Sequence, residues 1–439
     1  MWRNIKQSFR SKTVRLIAGL AGGNVLGLAV GVIGTLIQAC FVGPADLGFF
    51  RQFAIISGYC FILHLGLFGA LQRVYPYYIG KGEPQKAIAV AEVCQVWHVV
   101  VSALICGGLT LVGLVYLVKS DWRSALGWFA QAFNMGTLVY GNYLLATYRS
   151  GSEFTRMAKA SVISSFAGML AIPVFFVAPY FGMALRQILS LGANLFYLHK
   201  YRPLKIRWRF DWGEWRDLAK QGIPMFAAGY GRTVLWSTTE TLLVAKALGP
   251  NALGLLGMGI MVLEMAIKLP QAIVAVYTPR LIEHYGRTHD SASCLRLCLK
   301  PVVLGIIVLT VLALTAPLVL PWVVPLVMPK YGAAIPTISL LLLILPLTLL
   351  DLPYAILVAV GDRVKQNVAV YVGLAVFILL ALGAIHMGYG LTGVVAASLV
   401  GRAVTPLVVM IFLLQRKAQA LPLPPAADPN TSPDKLKVA

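Results

Sequence analysis

The sequence predicts an all-α polytopic membrane protein, with 12 transmembrane helices in two six-helix bundles related by a parallel pseudo-repeat. Three observations carry that expectation. Of the 439 residues, 59% are hydrophobic and 12% charged, too apolar for an ordinary soluble domain. The apolar stretches reach roughly the 20 residues that cross a bilayer as a helix, and they lack the period-two alternation of barrel strands. The phrase Gly43-Pro44-Ala45-Asp46-Leu47-Gly48 returns 206 residues later as Gly249-Pro250-Asn251-Ala252-Leu253-Gly254, each time joining two such stretches.

Taken in order, residues 1–16 read as a basic interfacial segment. Trp2, Ile5, Phe9 and Leu16 share one face and Arg3, Lys6 and Arg10 the other, a pattern equally suited to a charged lead-in that orients the first span. The first bundle (17–205) holds spans over 17–42, 51–75, 88–117, 124–147, 160–180 and 182–199. The second (206–415) holds 222–248, 253–278, 299–323, 333–360, 367–386 and 390–414. Pro76 and Pro279, each followed three residues on by isoleucine, extend the repeat to spans 2 and 8. Lacking an N–H, they are expected to end their helices. The linker 200–220 interleaves Arg202, Lys205, Arg207 and Arg209 with Trp208, Trp212 and Trp215, the pattern of an anchor to lipid head groups. The tail 416–439 is rich in proline and is expected to be disordered.

The net charge of +21 follows the topology. With a cytoplasmic N-terminus, 28 of the 37 Lys and Arg fall in cytoplasmic segments and 4 (Arg51, Lys119, Arg123, Lys330) in the opposite loops. Such a bias places both termini in the cytoplasm and makes membrane lipids, not nucleic acid, the partner of the basic surface. Cys294 and Cys298 are four apart with no third cysteine near them in sequence, so no metal site is expected. The opposite loops are too short to hold the acid, base and binding residues of a glycan-polymerising enzyme. The cytoplasmic loops carry no phosphate-binding loop for ATP hydrolysis.

Charge inside the bilayer costs about 2.5–3.5 kcal/mol per residue, so intramembrane charges are the first candidate site. The deepest are Arg232, Glu240, Glu264, Lys268, Asp351 and Arg402, all in the second half, whereas Glu92, Arg186 and Lys246 lie near span ends where they can snorkel. Glu264 and Lys268 are one helical turn apart and are expected to pair. Arg402, between Gly401 and Ala403, is either locked to Asp351 or free for an anion. In the first half, Asn24, Gly31, Thr35 and Gln38 fall on one arc of span 1, Ser57, His64 and Tyr75 on one face of span 2, and Gln131, Asn134 and Asn142 on one face of span 4. These groups suit sugar hydroxyls and serve equally as helix–helix hydrogen bonds.

The chain resembles the polysaccharide and oligosaccharide flippases of the multidrug/oligosaccharidyl-lipid/polysaccharide exporter superfamily. The resemblance rests on Val42-Gly43-Pro44-Ala45-Asp46-Leu47-Gly48-Phe49-Phe50, on His64-Leu65-Gly66-Leu67-Phe68-Gly69, on Gly80-Lys81-Gly82-Glu83-Pro84 and on Gly388-Tyr389-Gly390-Leu391-Thr392-Gly393. It covers residues 1–415. It implies a V-shaped pair of bundles that alternates between inward- and outward-facing states in the bacterial inner membrane. The implied cargo is an undecaprenyl-diphosphate-linked oligosaccharide, an O-antigen or exopolysaccharide repeat unit. It further implies a glycan polymerase and other polysaccharide assembly proteins as partners, no cofactor, and a proton or sodium gradient as the coupled energy source. Arg232, Lys268 and Arg402 are the cations expected to meet the diphosphate, with Glu240, Glu264, Asn24, Gln38, His64, Asn134 and Asn142 completing the binding surface. Lipid II flippases and multidrug exporters share the plan and are the alternatives. The former usually carry charges in span 1, which has none here after Arg15, and the latter use first-half carboxylates, of which only Glu92 is present.

Overall fold

The computed structural model describes residues 12–151, 153–268, 291–360 and 362–415, together with isolated positions between 270 and 284; side chains are described for most positions from Leu26 onward. Residues 1–11 and 416–439, and with them most of the basic lead-in and the whole proline-rich tail, lie outside the described residues. The regular structure described is entirely helical, and eight segments among the described residues are long and apolar enough to cross a membrane.

Helix α1 (Lys12–Phe41) ends at the first Gly-Pro corner. The chain then runs through α2 (Pro44–Gln52), α3 (Ala54–Cys60), a 3-10 turn (Phe61–His64) and α4 (Leu67–Gly80). The stretch read as one span over 51–75 is therefore a broken helix. The break falls at Leu65 and Gly66, both left-handed with φ of 52° and 71°. His64 Nδ1 accepts the freed Gly66 N–H at 2.8 Å, since irregular backbone at membrane depth must find a partner within the protein. Pro76 does not end its helix as expected: it is interior to α4, which continues to Gly80. One lost hydrogen bond kinks a helix without stopping it. Pro279 lies outside the described residues.

The first half continues with α5 (Pro84–Val118), α6 (Trp122–Ser150), α7 (Phe154–Met169), α8 (Ile172–Val177) and α9 (Pro179–Lys200). The second opens with α10 (Trp212–Tyr230), a π-turn (Gly231–Leu235) and α11 (Trp236–Ala266). Helix α11 bends at Gly249, where a φ of 80° and the absence of a Cβ permit the second Gly-Pro corner. Then come α12 (Ser291–Val327), a 3-10 turn (Pro329–Ala334), α13 (Ile335–Leu342), α14 (Ile344–Leu347), α15 (Asp351–Val360), α16 (Arg363–His386) and α17 (Gly390–Leu414).

Each half has its own apolar core, built around Leu67, Leu71, Tyr143 and Leu198 in the first and Trp236, Leu256, Leu349 and Phe377 in the second. A further cluster joins them beside the Gly-Pro corners, where Leu47, Phe50 and Tyr180 meet Met258, Met328 and Tyr331. Tyr331 Oη donates to the Val42 carbonyl at 3.1 Å and Lys330 Nζ to the Phe41 carbonyl at 2.6 Å, so second-half side chains tie down the end of α1. Asp46 pairs with Arg123, whose guanidinium lies 5.1 Å from the Phe49 ring and 4.9 Å from that of Tyr180.

Candidate substrate cavity

A cavity of about 600 Å³ lies between the halves, lined by α1, α2, α6 and α9 on one side and by α11 on the other. Arg186 on α9 reaches into it. Its guanidinium donates to Gln38 Oε1 at 2.6 Å, to Thr35 Oγ1 at 3.1 Å and to the Gly31 carbonyl at 3.2 Å. Gly34 makes room for this fork, since a Cβ there would lie 2.9 Å from the guanidinium. All three acceptors are neutral, and Arg186 forms no ion pair among the described residues. Gln131 and Asn134, hydrogen-bonded to each other at 3.1 Å, line the same wall.

Arg51 and Glu264 face the cavity from opposite halves and lie within electrostatic reach of each other. Arg51 was expected in a short loop. It is instead in α2, with its aliphatic stem against Gly257, where a Cβ would come within 2.6 Å of it. The two arginines outnumber the one glutamate on this wall.

A second cavity, of about 180 Å³, lies inside the second half and is lined by Arg232, Trp236, Gln271, Asp351, Tyr354 and Arg402 among others. Arg232 sits in the π-turn, a local insertion that swings a side chain out of the regular helical register. It forms an ion pair with Asp351, the first residue of α15, and its guanidinium lies 4.8 Å from the Tyr354 ring. Arg402 lies 3.7 Å from the Glu240 carboxylate and 5.0 Å from the Trp236 ring. Ser398 Oγ accepts from Trp236 Nε1 at 3.1 Å and from Arg402 Nε at 3.4 Å. Glu240 is only 2% exposed, so Arg402 is its counter-charge in an otherwise apolar setting. Gly401 stands against the Gly373 carbonyl, which brings α16 and α17 together and fixes the Arg402 stem.

The structure thus sorts the expected charges into pairs different from those foreseen. Arg402 is not locked to Asp351: it takes Glu240, and Asp351 takes Arg232. Glu264 and Lys268 form no ion pair among the described residues, although Ile267 between them keeps a right-handed helical conformation and donates its N–H to the Leu263 carbonyl at 2.8 Å. Lys268 is exposed and outside both cavities. Gln38, Asn134 and Glu264 line the inter-half cavity, while Asn142, two turns along α6 from Asn134, does not. His64 is buried between aromatic rings, away from both cavities. Asn24 is on α1, but its side chain is outside those described. Arg186 was expected to snorkel from a span end; the signal for its actual role is the polar arc Gly31, Thr35 and Gln38 on span 1, which needs a donor opposite it. Among the described residues no three His, Cys, Asp or Glu side chains are grouped so as to hold a metal ion.

Residues 130–284 match a family model described as "Polysaccharide biosynthesis protein". Comparison with curated proteins gives no match. Among solved structures, the chain is similar to the inward-facing conformation of a multidrug resistance MATE family transporter of the MOP superfamily, with TM-score 0.71 and 15% identity over 89% of this chain and 97% of that one. It is also similar to a MOP superfamily transporter from Pyrococcus furiosus described by the reverse polarity of its binding pocket, with TM-score 0.64 and 17% identity over 91% and 94% of the two chains. An outward-facing MATE family transporter gives TM-score 0.60 and 16% identity over 91% and 94%. The fold is that of the MOP-superfamily transporters, and part of the chain resembles a polysaccharide biosynthesis family.

Proposed function

We propose that this chain is a flippase that carries an undecaprenyl-diphosphate-linked oligosaccharide, such as an O-antigen or exopolysaccharide repeat unit, across the bacterial inner membrane by alternating access. The observation that carries this reading is Arg186, a cation in the cavity between the halves that is held by three neutral oxygens and is left without a carboxylate among the described residues. A diphosphate entering a low-dielectric cavity needs positive charge and donors to offset its desolvation. An arginine already oriented by its neighbours offers a fork that matches phosphate oxygens. The amides of Gln131, Asn134 and Gln187 and the hydroxyls of Ser237, Thr238 and Thr241 on the facing walls suit sugar hydroxyls. Arg232 and Arg402 would serve later in the path, since each must first exchange its carboxylate for the cargo. A multidrug exporter of cations would need carboxylates on the wall where Arg186 stands.

The alternating-access reading takes the chain as twelve spans. To the eight strongly apolar segments are added α1, α6 and α9, and the segment 231–266 divides at Gly249, its first part continuing α10 as one span and its second part beginning the next. In this reading the basic loops are cytoplasmic, and both termini with them. The two Gly-Pro corners then lie on the outer side. Their mutual contact and the greater likeness to the inward-facing transporter support an inward-facing state. A glycan polymerase would receive the cargo on that outer side.

The test is binding of a short-chain polyprenyl diphosphate to the purified protein in detergent. Arg186→Ala is expected to weaken it at least tenfold and Arg186→Lys less. Unchanged affinity in folded Arg186→Ala protein would remove the head-group site from this cavity.

A further inference from the structure

Two buried histidines that the transport site does not use lie where the second span breaks. His64 is 1% exposed and closes the 3-10 turn. Its Nδ1 accepts the Gly66 N–H at 2.8 Å, so the ring proton is on Nε2, and that N–H has no partner among the described residues. His98 on α5 is fully buried and is protonated the other way. Its Nδ1–H donates to the Cys94 carbonyl at 2.7 Å, which leaves a bare Nε2 lone pair, also without a partner among the described residues. The ring centroids are 6.3 Å apart. One ring therefore presents an unused donor and its neighbour an unused acceptor, in a place where unmet polar groups are costly.

The surroundings are nearly free of charge. Phe61 on the 3-10 turn, Phe68 on α4 and Phe226 on α10 stand around His64 with ring centroids 4.3, 4.6 and 4.3 Å away. The titratable groups at the pair are Cys94, with Sγ 3.5 Å from His98 Nδ1, and Tyr143 on α6, whose ring stacks 5.9 Å from His98 and whose hydroxyl donates to Gln95. No carboxylate, lysine or arginine among the described residues pairs with either imidazole. Of the three phenylalanines only Phe226 belongs to the second half. Its approach depends on Gly66, where any Cβ would overlap Phe226 and come within 2.8 Å of the Gly222 carbonyl.

We propose that His64 and His98 together form a proton-binding site, and that loading it separates Phe226 from His64 and so shifts the equilibrium between the two arrangements of the halves. The inference rests on the moving halves of the proposed function and names the coupled ion as the proton. The step adds one proton to the His98 Nε2 lone pair and breaks no covalent bond. The resulting imidazolium stands 6.3 Å, centroid to centroid, from the His64 ring, in a setting that offers no anion among the described residues. Phe61 and Phe68 are tied to His64 within four residues of chain, whereas Phe226 comes from the other half, so its withdrawal admits water to the pair. The deprotonated pair favours the arrangement described here, and the protonated pair favours its opening at this contact.

The test uses the full-length protein in lipid nanodiscs, with nitroxide labels on ketone-bearing residues at positions 45 and 251, which leaves Cys94 in place. As pH falls from 8 to 5, the population with the two labels close is expected to decrease relative to the separated one, by at most about tenfold per pH unit, the limit for one proton. His64→Gln and His98→Gln should flatten the response, and His199→Gln at the exposed end of α9 should keep it. Because a His64 variant also loses its bond to Gly66, imidazole nitrogen NMR of the wild-type protein provides a reading without mutation. It should show one Nε2–H and one Nδ1–H ring at high pH and one added proton on the pair at low pH. A pH-independent label distance in protein that still flips lipid-linked sugar, a response retained in the double variant, or two rings neutral throughout would overturn the proton site and leave the flippase reading intact. Absence of flipping at every pH, with the proton-linked distance change present, would count against the flippase reading alone.

Discussion

Gly48 and Gly254 hold the two halves at backbone distance: a Cβ on Gly48 would overlap the Pro250 carbonyl, and one on Gly254 would overlap the Pro44 carbonyl. The two copies of the repeated phrase thus pack on each other reciprocally, glycine of one against proline of the other. Rigid backbone stands on both sides, so an added methyl cannot be absorbed by a rotamer change. Gly48→Ala or Gly254→Ala should cost the closed corner about 1–3 kcal/mol, as overpacking does elsewhere. The population with closed corners, read from labels at Ala45 and Asn251, should fall at least fivefold. An unchanged label distance in either variant would show that this contact does not set the state.

The same corner supports a trapping experiment. A thiol cross-linker joining cysteines placed at Ala45 and Asn251, both exposed, should lock the corners together and stop transport, and reduction of a cleavable linker should restore it. Full transport with the link formed would contradict alternating access through this opening.

Arg402 and Glu240 give a prediction about stability. Removing one member of a buried pair leaves an uncompensated charge, at a cost of about 3–5 kcal/mol, whereas replacing both with apolar groups is near neutral. Arg402→Ala should therefore lower membrane abundance and the thermal midpoint in detergent. The Arg402→Met, Glu240→Leu pair should recover both. If Arg402→Ala is as stable as the parent, the 3.7 Å contact is not the partner that keeps Glu240 buried.

Topology is tested by single cysteines in exposed turns. Those at Lys119 and Met387 should react with an impermeant thiol reagent on intact cells, and those at Lys81 and Lys205 should be protected. The reverse pattern would invert the orientation on which the outer position of the Gly-Pro corners depends.

The legible features of this sequence are those that depend on local chemistry. Long apolar runs give the spans, and Gly-Pro at 43 and 249 marks the corners, because only glycine takes the φ of 80° at Gly249. Arg232, Glu240, Asp351 and Arg402 could be read as intramembrane charges from their apolar flanks. Their pairing could not, since it is set by the crossing of helices far apart in sequence. The break at Leu65 and Gly66 was hidden for a related reason: the groups it frees are taken up by His64, a partner visible only in the fold. Lys268 misled because helical spacing from Glu264 gives a shared face and does not by itself make an ion pair. Arg186 sits near the start of its apolar run, which looks like a snorkelling position, and its role depends on the gap at Gly34 on another helix.

The central claim is that an anionic, lipid-linked head group passes the Arg186 wall between the halves. Its most direct measurement is the transbilayer movement of a fluorescent polyprenyl-diphosphate-linked sugar in proteoliposomes, read by quencher access from outside. Wild-type protein should move the lipid well above protein-free vesicles. Arg186→Ala should lower the rate at least tenfold in protein of normal thermal stability, with Arg186→Lys intermediate. Movement by Arg186→Ala at the wild-type rate would contradict the account.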